Sequence, residues 1–484
     1  MEKFVTGLNE ILWSTWVIYT ILGVGLIFSI STRFLQVRLM KDMVKLMFQG
    51  KSSESGVSSF QALAIALSGR VGTGNIAGVA TAIAFGGPGA VFWMWAVAFI
   101  GASSAFIEST LAQIYKVKQD GQYRGGPSYY IEKGTGMKWF AVLFAMAALL
   151  AMSVLMPGVQ SNSIALGVKN AFGIQPIVTG GVIVSLLGLI IFGGVKRIAH
   201  VAQVVVPFMA LGYILVSVVI VFMNITKLPD VLSLIFKSAF ALDSAFGGLI
   251  GMAVSWGVKR GIYSNEAGQG TGAHPAAAAE VSHPAKQGLV QAFSVYIDTL
   301  FVCSATAFMI LFTGMYNTVK PDGTFIVQNL KGVEAGPGYT QAAVETVLPG
   351  FGAGFVAISL FFFAFTTIMA YYYIAETNVA YLVRGSNSKW AVFVLKLVIL
   401  GATFYGSVRT AELAWALGDA GLGIMVWLNV IAIVILAKPA LKALKDYEQQ
   451  KKQGIDPVFD PNALGIKNAD FWEKEYQKEQ ENVS

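Results

Sequence analysis

The sequence predicts an all-α polytopic membrane protein of about eleven transmembrane helices: a 5+5 inverted repeat with one extra N-terminal helix and with the first and sixth core helices broken. Three observations predict it. The chain is 55% hydrophobic and only 13% charged over 484 residues, and its mean hydropathy of +0.63 is too high for a soluble globule of this size. Apolar runs of ~20 residues, the length that crosses a bilayer as a helix, recur along most of the chain. Two of these runs, in corresponding halves, are interrupted by glycines and polar residues, which points to a binding site at the membrane midplane.

Taken in order, the runs predict spans near 11–32, 58–84, 88–116, 138–169, 174–194, 198–224, 240–263, 286–315, 350–383, 389–408 and 411–437. The first follows Met-Glu-Lys-Phe with no basic region leading to a small-residue cleavage site, so it reads as a retained span rather than a signal peptide. Residues 1–57 then form an N-terminal accessory helix and a cytoplasmic loop, 58–227 the first repeat, 228–438 the second, and 439–484 a solvated cytoplasmic tail rich in Lys, Glu, Gln and Asp. With the first span set aside, two groups of five spans have opposite orientation, which is the arithmetic of an inverted repeat.

Loop charge sets the orientation. Arg33, Arg38, Lys41, Lys45 and Lys51 follow the first span; Lys116, Lys118, Arg124, Lys133 and Lys138 follow the third; Lys196 and Arg197 lie between the fifth and sixth. Lys259, Arg260, Lys286, Arg384, Lys389 and the tail from Lys438 fall on the same side, while the near-neutral 314–349 segment faces the other. The N-terminus is expected outside and the C-terminus in the cytoplasm of a cell-membrane protein. This topology accounts for the net charge of +7 without nucleic acid as a partner. The single cysteine, Cys303, has no partner for an internal disulfide.

The stretch Ser68-Gly-Arg-Val-Gly-Thr-Gly-Asn-Ile-Ala-Gly78 carries the first interruption. A helix restarting near Asn75 would offer free N–H groups and a positive dipole end to a carboxylate, with Gly72 and Gly74 allowing close approach and Thr73 and Asn75 adding polar side chains. The helix portion ending near Val71 would offer carbonyls to a monovalent cation. A second interruption is expected over Val254–Gly261, continuing through Ser264-Asn-Glu-Ala-Gly268, where Ser255 and the carbonyls of Trp256 and Gly257 could receive an ammonium group.

Other spans add candidates. Thr366 and Thr367 follow one another in an aromatic helix and suit a hard cation such as Na+, although a Thr hydroxyl also bonds back to its own helix. Pro157 should kink the fourth span, and Gln160 just after it could line the pocket or bond another helix. Glu108, Asp298 and Glu376 are the acids expected at depth, where charges are costly; Glu108 reads as an anchor for Arg70 or for loose backbone, and Asp298 as an ion-path candidate. An enzyme is not expected. His200, His274 and His283 lack metal-ligand spacing, no Walker motif is present, and Gly72-x-Gly74-x-x-x-Gly78 misses the dinucleotide spacing.

The Ser68–Gly78 stretch, with Phe85-Gly-Gly-Pro-Gly-Ala90, Tyr123-Arg-Gly-Gly-Pro-Ser128, Lys259-Arg-Gly-Ile-Tyr-Ser-Asn-Glu-Ala-Gly268 and Leu464-Gly-Ile-Lys-Asn-Ala469, resembles the alanine or glycine:cation symporter family over essentially the whole chain. The resemblance implies a leucine-transporter-type fold and symport of alanine and/or glycine into the cell, with Na+ as coupling ion. It implies a substrate carboxylate at Gly72, Thr73, Gly74 and Asn75, and a sodium site built from Ser68, Val71, Phe363, Thr366 and Thr367. Glu108 is similar to a second-core-helix glutamate that steadies the sixth core helix. Arg70 departs from the small residue common in the wider fold. A proton-coupled symporter of the same fold, using Glu108 or Asp298, is the alternative.

Overall fold

In a membrane-crossing chain the apolar side chains face outward and the polar ones inward, because backbone and polar groups find no water in hydrocarbon. The computed structural model, which describes residues 2–50, 52–242, 246–384 and 388–476, has this arrangement. Among the described residues seven helices are long and apolar enough to cross a membrane: Gly89–Ile114, Lys138–Phe172, Lys196–Met223, Pro284–Thr313, Gly352–Leu382, Ser388–Ser407 and Ala411–Ile435. The pair Lys3–Leu12 and Thr15–Ser31, bent by 40°, makes an eighth candidate. Helices also occupy the other expected places, as Ser59–Arg70 with Gly74–Gly86, Pro176–Ile191 and Ile250–Asn265.

Burial separates centre from rim. In Pro284–Thr313, 78% of the apolar window is buried, against 28% in Ser388–Ser407, so the first is a central helix and the second a peripheral one. The rim exposes Phe208, Leu211, Trp390 and Leu397, whereas Arg70, Glu108, Gln160, Gln291 and Asp298 are buried in the centre. Pro157 is accommodated without breaking its span: a π-helical turn, Ala151–Leu155, precedes it, closed by the Met156 N–H donating to the Ala151 carbonyl at 2.9 Å.

Several expectations are corrected. The run expected from 240 becomes the membrane helix only at Ile250; Leu228–Ala239 is a separate short helix, and residues 243–245 lie outside the described residues, as do Lys51 and the tail beyond 476. The helix then runs unbroken through Ser255, Trp256 and Gly257 to Asn265. The interruption comes after it, where Glu266 (φ +55°), Gly268 (φ +81°) and Gly270 (φ +87°) adopt left-handed conformations that a helix cannot contain. Gly257 has a packing role instead: a Cβ there would lie 2.6 Å from the Ala90 carbonyl oxygen. Lys259 and Arg260, counted above as loop charges, are embedded in this helix and bind Asp419, with contacts of 2.6 Å from Lys259 and 2.8 Å and 3.1 Å from Arg260.

The tail is not a solvated appendage. After the Ala437–Lys452 helix, the chain folds back and buries Phe459, Phe471 and Trp472. Trp472 Nε1 donates to the Gln113 carbonyl at 2.9 Å, Lys133 pairs with Asp470 at 2.6 Å, and Lys116 Nζ sits 4.3–5.1 Å from the ring centroids of Tyr123, Phe471 and Trp472. The aromatic residues hidden in an otherwise charged segment supply the docking energy.

Candidate functional site at two helix interruptions

The first interruption is short. Ser59–Arg70 ends at Val71 (ψ 86°), and a π-helical turn, Gly74–Gly78, starts the helix that runs on to Gly86. Asn75 closes this gap from within: its Oδ1 accepts from the Gly72 N–H at 2.8 Å. The Thr73 N–H donates to Gln160 Oε1 at 3.0 Å, and Gln160 Nε2 donates to the Tyr371 hydroxyl at 3.2 Å. Gly72 is required here, since a Cβ would collide with Thr367 Oγ1 and lie 3.1 Å from Gln160 Oε1. The buried Thr73 hydroxyl has no hydrogen-bond partner among the described residues.

Of the expected site residues, the structure therefore brings together Gly72, Thr73, Asn75, Gln160 and Thr367. Gly74 abuts the Ile250–Asn265 helix, where its Cβ would lie 3.0 Å from Ser264 Cα. Thr366 Oγ1 donates to the Phe362 and Phe363 carbonyls at 2.9 Å and 3.0 Å, and Thr367 Oγ1 to Phe363 at 3.0 Å, so both hydroxyls bond their own helix. The Ser68 hydroxyl does the same, to Ile65 at 2.7 Å. Ser68, Val71, Phe363, Thr366 and Thr367 are all buried.

Ser255, Trp256 and Gly257 are not brought to Gly72–Asn75. Trp256 packs on Phe85, 4.8 Å between ring centroids, at the far end of the Gly74–Gly86 helix, with the Arg260 guanidinium 5.0 Å from its ring centroid. The Ile250–Asn265 helix instead reaches the first interruption through Ser264, nine residues beyond Ser255. The signal for it was present in Ser264-Asn-Glu-Ala-Gly268, whose polar residues stand at a helix end.

Glu108 ties the second interruption. Its Oε2 accepts from the Gly270 N–H at 3.0 Å and from Asn429 Nδ2 at 2.8 Å, while Asn429 also donates to the Gly268 carbonyl at 2.9 Å. Of the two anchoring roles expected for Glu108, loose backbone is the one realised. Arg70 turns away from the first interruption: Nη1 donates to Ser294 Oγ and to the Gln291 carbonyl at 3.3 Å. Sequence reasoning also missed two buried acids. Asp419 pairs with Lys259 and Arg260, and Glu266 accepts from the Thr271 hydroxyl at 2.7 Å.

The arrangement brings hydroxyls, amides and backbone groups to two helix interruptions, joined by the Ile250–Asn265 helix. The profile of the sodium:alanine symporter family matches residues 1–461. The chain is 81% identical over 484 residues, the whole of both chains, to YrbD of Bacillus subtilis, provisionally named a sodium/proton-dependent alanine carrier protein. It is 61% identical over 443 residues, 91% of this chain and 99% of the other, to the sodium/proton-dependent alanine carrier protein of Bacillus sp. strain PS3. Identity to the sodium/alanine symporter AgcS of Methanococcus maripaludis is 36% over 460 residues, 93% of this chain and 98% of the other. A solved Na+-coupled sialic acid symporter, substrate-bound and outward-open, shares the fold with a TM-score of 0.52 at 14% identity, over 96% of each chain. By the family match and by these identities, the chain belongs to the sodium:alanine symporter family.

Proposed function

We propose that this protein is a secondary active transporter that carries alanine and/or glycine into the cell together with Na+, by alternating access. The observation that carries the reading is the meeting of Gly72, Thr73 and Asn75 with Gln160 and Thr367 at the first interruption. The substrate carboxylate takes the Thr73 hydroxyl, the Gly74 and Asn75 end of the outer half-helix and the Gln160 amide. On the sixth core helix, Ser264 takes the part expected of Ser255, Trp256 and Gly257. Na+ is held by the carbonyls of Ser68, Val71 and Phe363 with the hydroxyls of Thr366 and Thr367, which re-aim from their own helix.

The architecture that goes with this reading has eleven spans, an inverted repeat of five and five, and a cell-membrane orientation with the N-terminus outside and the C-terminus in the cytoplasm. Transport is a physical movement between two faces of the membrane, so no catalytic residue is assigned.

The test is alanine uptake into proteoliposomes under an imposed Na+ gradient, with a pH gradient as control. Na+-driven uptake is the expected result; uptake indifferent to Na+ refutes the sodium assignment. Gln160→Ala removes the amide assigned to the substrate carboxylate, and a hydrogen bond to a charged group is worth about 1.5–3 kcal/mol, so apparent alanine affinity should fall about 10–150-fold. Thr366→Val should weaken mainly the Na+ dependence. Transport unchanged in both variants would place the site elsewhere.

A further inference from the structure

One buried acid beside the first interruption has no part in the site as described. Asp298 lies on Pro284–Thr313, in the π-helical turn Ile297–Cys303. Such turns interrupt the regular helical ladder and are frequent at functional positions. Its Oδ1 accepts from Asn75 Nδ2 at 2.6 Å and from Ser264 Oγ at 3.0 Å, and its Oδ2 from Thr299 Oγ1 at 2.7 Å. One carboxylate thus joins the first interruption, through Asn75, to the helix that leads into the second, through Ser264.

Its electrostatic surroundings are sparse. Asp298 is fully buried and, among the described residues, forms no ion pair. Arg70, on the inner half-helix, is the nearby cation, but its hydrogen bonds go to Ser294 and Gln291. Glu266, at the second interruption, accepts from Thr271, and Glu108, on Gly89–Ile114, is turned to Gly270. Tyr213, on the Val195–Met223 helix, bonds Thr306 at 2.7 Å. The Cys303 thiol lies 3.2 Å from Ser264 Oγ and 3.4 Å from Asn75 Nδ2. Its three hydrogen bonds and the Arg70 charge offset part of its desolvation, and a proton or a metal ion would offset more.

The ligating atoms choose between the two. Asn75 presents N–H to Oδ1, and its own carbonyl oxygen is engaged by the Gly72 N–H, so a metal ion at the carboxylate would face a donor that cannot become an acceptor. A proton on Oδ2 needs only the Thr299 hydroxyl to turn from donor to acceptor.

We infer that Asp298 is the proton site of this carrier, taking up a proton as the amino acid binds at the first interruption and giving it up as the amino acid leaves. This rests on the reading of that interruption as the amino-acid site. The substrate carboxylate would otherwise sit beside an ionised Asp298. Protonation on Oδ2 removes that like charge while Oδ1 keeps its bond from Asn75, so each of proton and amino acid favours binding of the other by the same factor. One O–H bond forms with a proton from the outer solution, and the same bond breaks to deliver that proton to the cytoplasm.

The test loads proteoliposomes with a pH-reporting dye and counts protons moved per alanine, a ratio that does not depend on how fast a variant transports. The wild type should acidify the lumen when alanine enters, and Asp298→Asn should lower the ratio by at least about tenfold. An unchanged ratio in Asp298→Asn, or a wild type that takes up alanine under a Na+ gradient without moving protons, overturns the inference. A wild type that takes up no alanine at all overturns the underlying site reading instead. A second measurement covers an Asp298→Asn protein that does not fold. Alanine binding to the wild type should produce the infrared band of a protonated carboxyl, and Thr299→Val should shift it, because that hydroxyl lies on Oδ2. No band, or a band that Thr299→Val leaves in place, also overturns it.

Discussion

Removing Glu108 should loosen the second interruption, and the geometry sets the size of the effect. Glu108→Ala deletes the acceptor of two buried donors, the Gly270 N–H and Asn429 Nδ2. Each donor left unpaired costs about 1–3 kcal/mol, so the sum is about 2–6 kcal/mol. Glu108→Gln keeps the shape and one acceptor oxygen, and because both donors bond the same oxygen, Oε2, both stay paired and the loss should be well below that of Glu108→Ala. The assay is unfolding of purified protein in mixed SDS and detergent micelles, with the two variants and Asn429→Ala measured in parallel. Because Glu108 and Asn429 share a hydrogen bond, Glu108→Ala combined with Asn429→Ala should cost less than the sum of the single changes. A Glu108→Ala protein within about 0.5 kcal/mol of the wild type, or full additivity with Asn429→Ala, would refute the anchoring role.

The docked tail gives two further predictions. Trp472→Ala removes a buried ring and the bond to Gln113, a loss of about 3–5 kcal/mol by analogy with core aromatic truncations, so the undocked fraction should rise more than about a hundredfold. Faster tryptic cleavage after Lys452 and Lys467 would report it, and unchanged cleavage would contradict the docking. Acid should act in the same direction. Burial disfavours the ionised Asp470, but the hydrogen bond and charge of Lys133 outweigh it and hold its carboxyl below the ordinary range. The docked tail therefore binds fewer protons than the released one, and this contribution is complete above the ordinary carboxylate pKa of about 3.9 and is lost as pH falls below it through the lowered pKa of the docked Asp470. Hydrogen exchange of residues 456–472, corrected for intrinsic rate, should quicken between about pH 6 and about pH 3, and Lys133→Ala should reduce the change, the Asp470 pair with Lys474 remaining. Protection that rises on acidification would be evidence against it.

Much of this protein is decided by local composition. Long apolar runs become membrane-length helices wherever the chain goes, because an unpaired backbone has no alternative in hydrocarbon, so the helices at Gly89–Ile114 and Gly352–Leu382 were legible from length and hydropathy. The first interruption was legible for the same kind of reason: Gly72 and Gly74 beside Thr73 and Asn75 cannot make a quiet membrane helix. The pairing of Gln160 with that gap agrees with its place after Pro157, although only the fold puts its amide within 3.0 Å of the Thr73 N–H.

What sequence could not decide is which break a polar residue serves and where a charge finds its partner, since both depend on contacts between residues far apart in the chain. Ser255 to Gly257 had the right residue types and lie in an unbroken helix, because the left-handed turn at Glu266 is what ends it and Gly257 is needed against Ala90. Lys259 and Arg260 looked like loop charges until Asp419, about 160 residues away by sequence, came to lie against them. The tail looked solvated because its charges outnumber its aromatics, yet Phe471 and Trp472 find Lys116 and Gln113 across the fold. Asp298 was visible as an acid at depth. Its meaning came only when tertiary packing placed its carboxylate between Asn75 and Ser264, for a buried charge takes its role from the groups that surround it.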